Sequence, residues 1–254
     1  MNQMTRESGG PVDAHARWVR LIHWLVAASV LTLSCSGFAI LMVHPRLYWG
    51  HVGNDLTPPL LELPISRNHR HGGWTAPQPF FAERPAGPIT ASRTYSIFNQ
   101  NGWARSLHFL AAWWLVVPGL AYLVAGFVGG HFRRHLVPRV RELQPRLVWQ
   151  DVIVHLRLRI PPGVGGPRYG VLQKSAYTAV VFVLAPAMVL TGLAMSPAVT
   201  AGYHVLLNIF GGYQSARTLH FVASAALVLF VLVHVVMVVA SGLTRQLRGI
   251  ILGK

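Results

Sequence analysis

Four long apolar runs dominate the pattern of hydrophobic and polar positions along the chain. They cover about residues 21–43, 106–128, 172–195 and 218–241, and Lys and Arg occur at their ends rather than in their middles. At 1.5 Å of rise per residue, a helix of about 20 residues crosses a hydrocarbon layer about 30 Å thick. The pattern therefore predicts an all-α integral membrane four-helix bundle, a single membrane domain over residues 1–254.

The connections between these predicted spans differ in length and character. The first, residues 44–105, is rich in Pro, Gly and aromatic residues and is far longer than a helix-to-helix connection requires. The second, residues 129–170, is basic, and its apolar-basic stretch at 147–160 is expected to lie in the membrane interface. Pro118 and Pro186 fall inside predicted spans, where each is expected to kink its helix.

The distribution of basic residues predicts the orientation of the bundle. With four spans both termini lie on one side, and that side together with the 129–170 loop holds 15 of the 22 Lys and Arg residues. The other side holds Arg46, Arg67, Arg70, Arg84, Arg93, Arg105 and Arg217. By the positive-inside rule, both termini are expected to be cytoplasmic, in a bacterial inner membrane, with a periplasmic loop at 44–105.

Composition supports a membrane protein and narrows its chemistry. The chain is 52% hydrophobic and 11% charged, which is too apolar for an ordinary soluble domain. Its net charge of +15 does not indicate nucleic-acid binding, because the basic residues lie between apolar runs rather than along one polar face. Its single cysteine, Cys35, excludes internal disulfides, cysteine-ligated iron–sulfur clusters and covalent c-type haem attachment.

Four histidines within or at the ends of the spans are the main candidates for chemistry, because ionisable groups inside a membrane are costly. His23 enters the first span from the predicted cytoplasmic side, and His108 enters the second from the outside. On the fourth span, His220 lies near the outer end and His234 near the inner end. Their separation corresponds to ~21 Å of helix and returns both to nearly the same face.

These depths predict two stacked haems with axial imidazole ligands. The inner haem is expected between His23 and His234, and the outer one between His108 and His220. Two imidazoles occupy both axial positions of the iron, so such haems transfer electrons and leave no site for oxygen or substrate. The alternative is four unrelated polar residues, or a proton relay.

An arginine precedes three of these histidines by three residues: Arg20 before His23, Arg105 before His108 and Arg217 before His220. This spacing places each arginine on the same helical face as its histidine, toward the water, where it is expected to pair with a haem propionate. The alternative is that these are the positive charges that any span end carries. Among the other histidines, His69 and His71 form a weak candidate metal site, and His204 is expected in a short surface helix.

The chain resembles the bacterial di-haem cytochrome b family, which includes the membrane subunits of nickel–iron hydrogenase, formate dehydrogenase and thiosulfate reductase. The resemblance rests on the segments at 17–24, 107–108, 172–177 and 190–193, and on the interval from Arg217 to His234. It implies the same two histidine pairs, two haem b groups, a quinone site near the inner haem, and a catalytic subunit on the outer face. The long outer loop departs from hydrogenase-type members, so a periplasmic molybdopterin oxidoreductase is the first expectation for the partner, and a hydrogenase the second.

The leading interpretation is thus an electron-transfer subunit of an oxidoreductase complex, surrounded by membrane lipid and linking a periplasmic enzyme to quinone. A stand-alone membrane haem oxidoreductase, acting on superoxide or a ferric chelate at its outer haem, is the alternative. A haem-free transporter or proton channel is a third class. No Asp or Glu lies in a predicted span, which weakens a carboxylate-based ion pathway.

Overall fold

Long helices account for most of the computed structural model, which describes residues 17–54, 57–65, 101–156 and 170–253. The α-helices are α1 (Arg17–Val43), α2 (Asn101–Val128), α3 (Pro145–Leu156), α4 (Val171–Ala179), α5 (Ala185–Ala194), α6 (Pro197–Thr200), α7 (Val205–Ile209), α8 (Tyr213–Ala240) and α9 (Leu243–Ile251). A short strand β1 (Arg46–Leu47) pairs antiparallel with β2 (Leu61–Glu62), with Arg46 opposite Glu62. The predicted all-α class is confirmed, with this small hairpin as an addition.

Within the described ranges, four helical segments are long and apolar enough to cross a membrane. They are the first span (Arg17–Val43), the second (Gly102–Val128), the third (Val171–Ala194) and the fourth (Tyr213–Ala240). The first, second and fourth begin about one turn before the predicted apolar runs, since the arginine-bearing turns at their starts are also helical. These turns extend each helix beyond the length that the hydrocarbon requires.

The two prolines inside the spans are accommodated differently. Pro118 lies within the continuous helix α2. In the third span, a π-helical turn at Val180–Leu184 separates α4 from α5, and Pro186 lies in the first turn of α5. Proline lacks an N–H and crowds the carbonyl one turn earlier, and a widened turn relieves that crowding.

Burial in the spans is the reverse of that in a soluble bundle. The side chains buried between helices are mostly small: Ser36, Ala39, Ala104, Ala111, Thr191, Ala194, Ala216 and Ala223. Large apolar side chains point outward, with Leu31 67%, Trp113 66% and Leu232 59% exposed. Small residues let helices approach closely, and a large apolar surface is stable when lipid covers it.

The spans pack as two pairs. Close backbone approaches are extensive between the first and second spans and frequent between the third and fourth, but sparse between the two pairs. Each pair is therefore a compact helical hairpin. The two hairpins face each other mainly through side chains, which allows a flat group to lie between them.

The start of the fourth span is capped by the loop that follows the first span. The Gly50 carbonyl accepts hydrogen bonds from the N–H groups of Gln214 and Ser215, at 2.9 and 3.3 Å. The Gly50 N–H in turn donates to Ser215 Oγ at 2.7 Å. A backbone carbonyl thus satisfies N–H groups that a helix start leaves unpaired. We name this contact between residues 44–54 and residues 212–218 the outer latch.

Side chains from the fourth span complete the outer latch. The Arg217 guanidinium donates to the Arg46 carbonyl at 3.0 Å and, through Nη2, to the His44 carbonyl. Thr218 Oγ1 donates to the Tyr48 carbonyl at 2.6 Å. Tyr48 is only 1% exposed, so the outer latch is among the best-buried parts of the described chain. The rest of the predicted loop, residues 66–100, lies outside the described residues, and so does the metal-site hypothesis on His69 and His71.

Two acidic side chains join the 129–170 segment to the start of the third span. Asp151, on α3, accepts the Leu172 N–H at 2.8 Å, where a negative charge also suits the positive end of the helix. Glu142 accepts two hydrogen bonds from the Lys174 ammonium, at 3.0 and 2.9 Å. Helix α3 overlaps the stretch 147–160 predicted to lie in the interface and begins two residues before it, and residues 157–160 are outside the described part.

The Glu142–Lys174 ion pair is expected to make stability depend on acid pH. The bond from Lys174 holds the pKa of Glu142 below its ordinary value of 4.5. The pair therefore stabilises the fold fully above that value and is lost as the pH falls through the lowered pKa. Replacing Glu142→Gln should reduce stability at neutral pH by about 1 kcal/mol, since Glu142 is partly exposed. Thermal unfolding in detergent at a series of pH values measures this.

The stabilities of the parent and of Glu142→Gln should become equal in strong acid. Glu142 is then protonated in the parent and no longer forms the ion pair, so its replacement by Gln has little effect on stability. A stability difference that stays constant down to the lowest pH would show that the substitution acts through packing rather than charge.

Candidate functional site

His108 and His220 face each other across the two hairpins. His108 lies on the second span and His220 on the fourth, and their ring centres are 6.2 Å apart with an interplanar angle of 59°. Both lie near the start of their helix, at the end of the bundle that carries the outer latch. We name them the outer pair, after the side on which the sequence predicts them.

His23 and His234 form a second facing pair toward the opposite end. Their ring centres are 6.5 Å apart with an interplanar angle of 52°. Phe230 stacks on His234 at 6.0 Å and 19°, and the Tyr177 ring lies 6.5 Å from it. Trp24 meets the His23 ring edge-on. We name His23 and His234 the inner pair.

The donor set and its spacing fit a haem iron. An iron bound between two imidazoles requires about 6 Å between ring centres, since each metal–nitrogen bond is about 2 Å and each ring centre lies about 1 Å behind its nitrogen. Both pairs meet this separation, and sparse backbone contact between the hairpins gives width for a flat macrocycle. No group of three or more His, Cys, Asp or Glu that could hold a metal ion occurs within the described ranges.

Each ring of the outer pair touches a hydroxyl and a glycine from the other helix of its own hairpin. Ser36 Oγ lies 2.9 Å from His108 Nδ1, and Thr191 Oγ1 lies 2.9 Å from His220 Nδ1. A Cβ added at Gly37 or Gly192 would contact Cε1 of the same rings, at 3.4 and 3.6 Å. The sequence alone indicated no role for these two hydroxyls. The one feature of the sequence that could have indicated this role is a hydroxyl residue followed by glycine in both the first and the third span.

The three arginines expected near propionates lie in different surroundings. Arg20 Nη1 donates to the Ile251 carbonyl of α9 at 2.9 Å, while its Nε is buried with no hydrogen-bond partner among the described residues. Arg217 donates to the two carbonyls of the outer latch. Arg105 is exposed near the start of the second span. Arg20 and Arg217 thus also stabilise the fold by bonding backbone carbonyls, a role that the sequence did not indicate.

The remaining polar and aromatic residues of interest lie in different parts of the structure. His204 is exposed just before α7, in agreement with the prediction of a short surface helix. Lys174, at the start of the third span, is held by Glu142 rather than directed to the inner pair. Tyr177 and Trp24 lie beside the inner pair.

Comparison with known proteins identifies the family of the chain. A protein from Azospira oryzae, described as a putative protein-methionine-sulfoxide reductase subunit YedZ1, is 29% identical over 239 residues, covering 92% of this chain and 96% of that protein. A family model described as prokaryotic cytochrome b561 matches residues 14–253, which include all four spans and both histidine pairs. The resemblance to bacterial membrane cytochromes b is confirmed, and the chain belongs to the prokaryotic cytochrome b561 family.

Proposed function

We propose that this chain is a membrane subunit with two haem b groups that links the quinone pool to a periplasmic oxidoreductase. The observation that carries the proposal is the pair of facing histidine sets, which share the fourth span and lie toward opposite ends of the bundle. Membership of the cytochrome b561 family implies that the chain binds haem b. That it binds two, and that quinone is a redox partner, are our inferences.

The proposed axial ligands are His23 with His234 for one haem and His108 with His220 for the other. Ring-centre separations near 6 Å at both pairs support this, as does the chemistry of neutral imidazole, an ordinary haem ligand. Held by two histidines, haem would supply reversible one-electron transfer. Because histidines would then occupy both ligand positions of each iron, neither substrate nor oxygen could bind the metal. This disfavours oxygen activation at either site.

Arg20, Arg105 and Arg217 are the proposed partners of the haem propionates. Arginine has five N–H donors, so bonds to backbone carbonyls do not exhaust Arg20 or Arg217. The buried Nε of Arg20, which has no hydrogen-bond partner among the described residues, supports a role in holding an anion there. The exposed Arg105 is unconstrained by the outer latch.

The proposed partner is a periplasmic molybdopterin enzyme that reduces methionine sulfoxide in proteins. Support comes from the relative described as a putative subunit of a protein-methionine-sulfoxide reductase, because the aligned region covers nearly all of both chains. In the proposed orientation both termini are cytoplasmic, the membrane is the bacterial inner membrane, and the outer latch faces the periplasm. Quinol oxidation, releasing two electrons and two protons, supplies the two electrons that sulfoxide reduction consumes.

A test in liposomes separates the parts of this proposal. The purified holoprotein is reconstituted, and its visible spectrum is followed after a short-chain quinol is added under argon. We expect the haem b bands to become reduced. They should then be reoxidised when a periplasmic protein-methionine-sulfoxide reductase and an oxidised, methionine-sulfoxide-containing protein are added together, but not when either is added alone.

Two results would contradict the proposal. Failure of quinols to reduce a protein that dithionite reduces fully would remove the quinone from the scheme. Rapid reoxidation by superoxide or a ferric chelate, with none by the reductase and its substrate, would favour the stand-alone oxidoreductase.

A further inference from the structure

We infer that Ser36 and Thr191 are positioning residues that fix the tautomer and the ring orientation of His108 and His220. The inference rests on the proposed ligands, and it concerns the groups behind them. The two hydroxyls come from the first and third spans, and each contacts the outer-pair histidine of its own hairpin at 2.9 Å.

The direction of each hydrogen bond follows from the other bonds of the hydroxyl. Ser36 Oγ also lies 2.8 Å from the Thr32 carbonyl, and Thr191 Oγ1 lies 2.6 Å from the Ala187 carbonyl. A hydroxyl has one hydrogen, and a carbonyl can only accept, so that hydrogen is directed to the carbonyl. The hydroxyl oxygen is then left to accept, and the ring Nδ1 must carry the proton.

Burial strengthens this assignment. Ser36 is 0% exposed and Thr191 is 1% exposed, so water cannot compete for either hydroxyl. An Nδ1–H tautomer leaves the lone pair on Nε2, the ring nitrogen then available for a metal. The two hydroxyls thereby orient both outer-pair rings in the chemical form that an iron ligand requires.

The following glycines complete the arrangement. Gly37 and Gly192 bring helix backbone to the Cε1 edge of His108 and His220, where a Cβ would lie at ordinary contact distance and a longer side chain would collide with the ring. Each outer-pair ring is thus held at one edge by a hydroxyl and its neighbouring glycine. The described ring contacts of His234 are instead aromatic, with Phe230 and Tyr177.

A hydrogen bond from Nδ1–H makes an imidazole a stronger donor to a metal and stabilises the oxidised iron. Removing the acceptor should therefore raise the midpoint potential of the outer haem and leave that of the inner haem unchanged. We expect Ser36→Ala and Thr191→Val each to increase the reduced-to-oxidised ratio of the outer haem about twofold to tenfold at a fixed ambient potential, the range that one ordinary hydrogen bond supports.

Potentiometric titration of the holoprotein, followed by visible and low-temperature EPR spectra, measures this for each haem separately. Ser29→Ala is the matched control, because Ser29 is also buried on the first span and its hydroxyl bonds the Leu25 carbonyl at 2.8 Å, with no hydrogen bond to a histidine among the described residues. Thr191→Ser, which keeps the hydroxyl, should restore the parent potential. Unchanged potentials in Thr191→Val, or an equal shift in Ser29→Ala, would overturn the inference.

The tautomer can be read without haem. Protein labelled with ¹⁵N-histidine and purified from haem-deficient cells should show Nδ1–H signals for His108 and His220, assigned by single His→Ala variants. Nε2–H signals at these positions would refute the inference even if the haem ligands are correct. A protein that binds no haem when produced with ample haem would instead refute the proposed function.

Discussion

Replacing His220→Ala is expected to remove the outer haem and leave the inner one, while His234→Ala does the opposite. Each substitution removes one of the two proposed haem ligands from one pair, and the rings of the other pair remain 6.5 or 6.2 Å apart. The haem b content measured as pyridine haemochrome should fall from about two per chain to about one in both variants. Their reduced spectra and midpoint potentials should differ, since different haems remain.

His204→Ala is the matched control, because His204 is exposed and outside both pairs. His108→Ala should reproduce the spectrum of His220→Ala, and His23→Ala that of His234→Ala. The proposed histidine pairing would be wrong if the spectrum of His108→Ala matched that of His234→Ala. The proposed number of two haems would be wrong if the parent protein bound a single haem.

Replacing Gly212→Ala is expected to open the outer latch and to destabilise the protein by about 3 kcal/mol or more. Gly212 has φ +119° and ψ 170°, a region that is essentially restricted to glycine and costs about 1–3 kcal/mol for other residues. An added Cβ would also lie 2.5 Å from the carbonyl carbon and oxygen of Gly50. Because these are backbone atoms, the loop must move, and the bonds from Gln214 and Ser215 to Gly50 are lost with it.

Gly242→Ala separates the effect of backbone strain from the effect of the collision with Gly50. Gly242 also has a positive φ, +99°, but nothing lies within 4 Å of its added Cβ. Thermal unfolding of both variants in detergent, followed by haem absorbance and intrinsic fluorescence, should show the larger loss for Gly212→Ala. Equal losses would mean that backbone strain alone is responsible and that the outer latch contributes little.

The spans and the histidine depths could be predicted because they depend on local composition. A run of apolar residues long enough to cross a bilayer has few alternatives to a helix, since every backbone polar group must be bonded internally. The positions of His220 and His234 then follow from helical geometry. The π-helical turn before Pro186 was beyond such reasoning, because Pro118 lies in an uninterrupted helix of similar composition.

The roles of Ser36 and Arg217 depend on contacts between distant parts of the chain. Hydroxyls in membrane helices commonly bond the carbonyl four residues earlier, as Ser29, Thr32 and Ser34 also do. Only the packing of the second span distinguishes Ser36 from these neighbours. Arg217 has the spacing of a propionate partner, and nothing local indicates that it also binds carbonyls 171 and 173 residues away.

The packing of the spans as two hairpins has a consequence for biogenesis. Each hairpin is contiguous in sequence, and its helices pack closely on each other, so each can insert and close as a unit while the ribosome is still translating. Each also carries one ligand of the proposed outer haem. Capture of that haem would then add to the outer latch in joining two prefolded halves, and in a cell short of haem a larger fraction of the protein would have separated halves, exposed to membrane proteases.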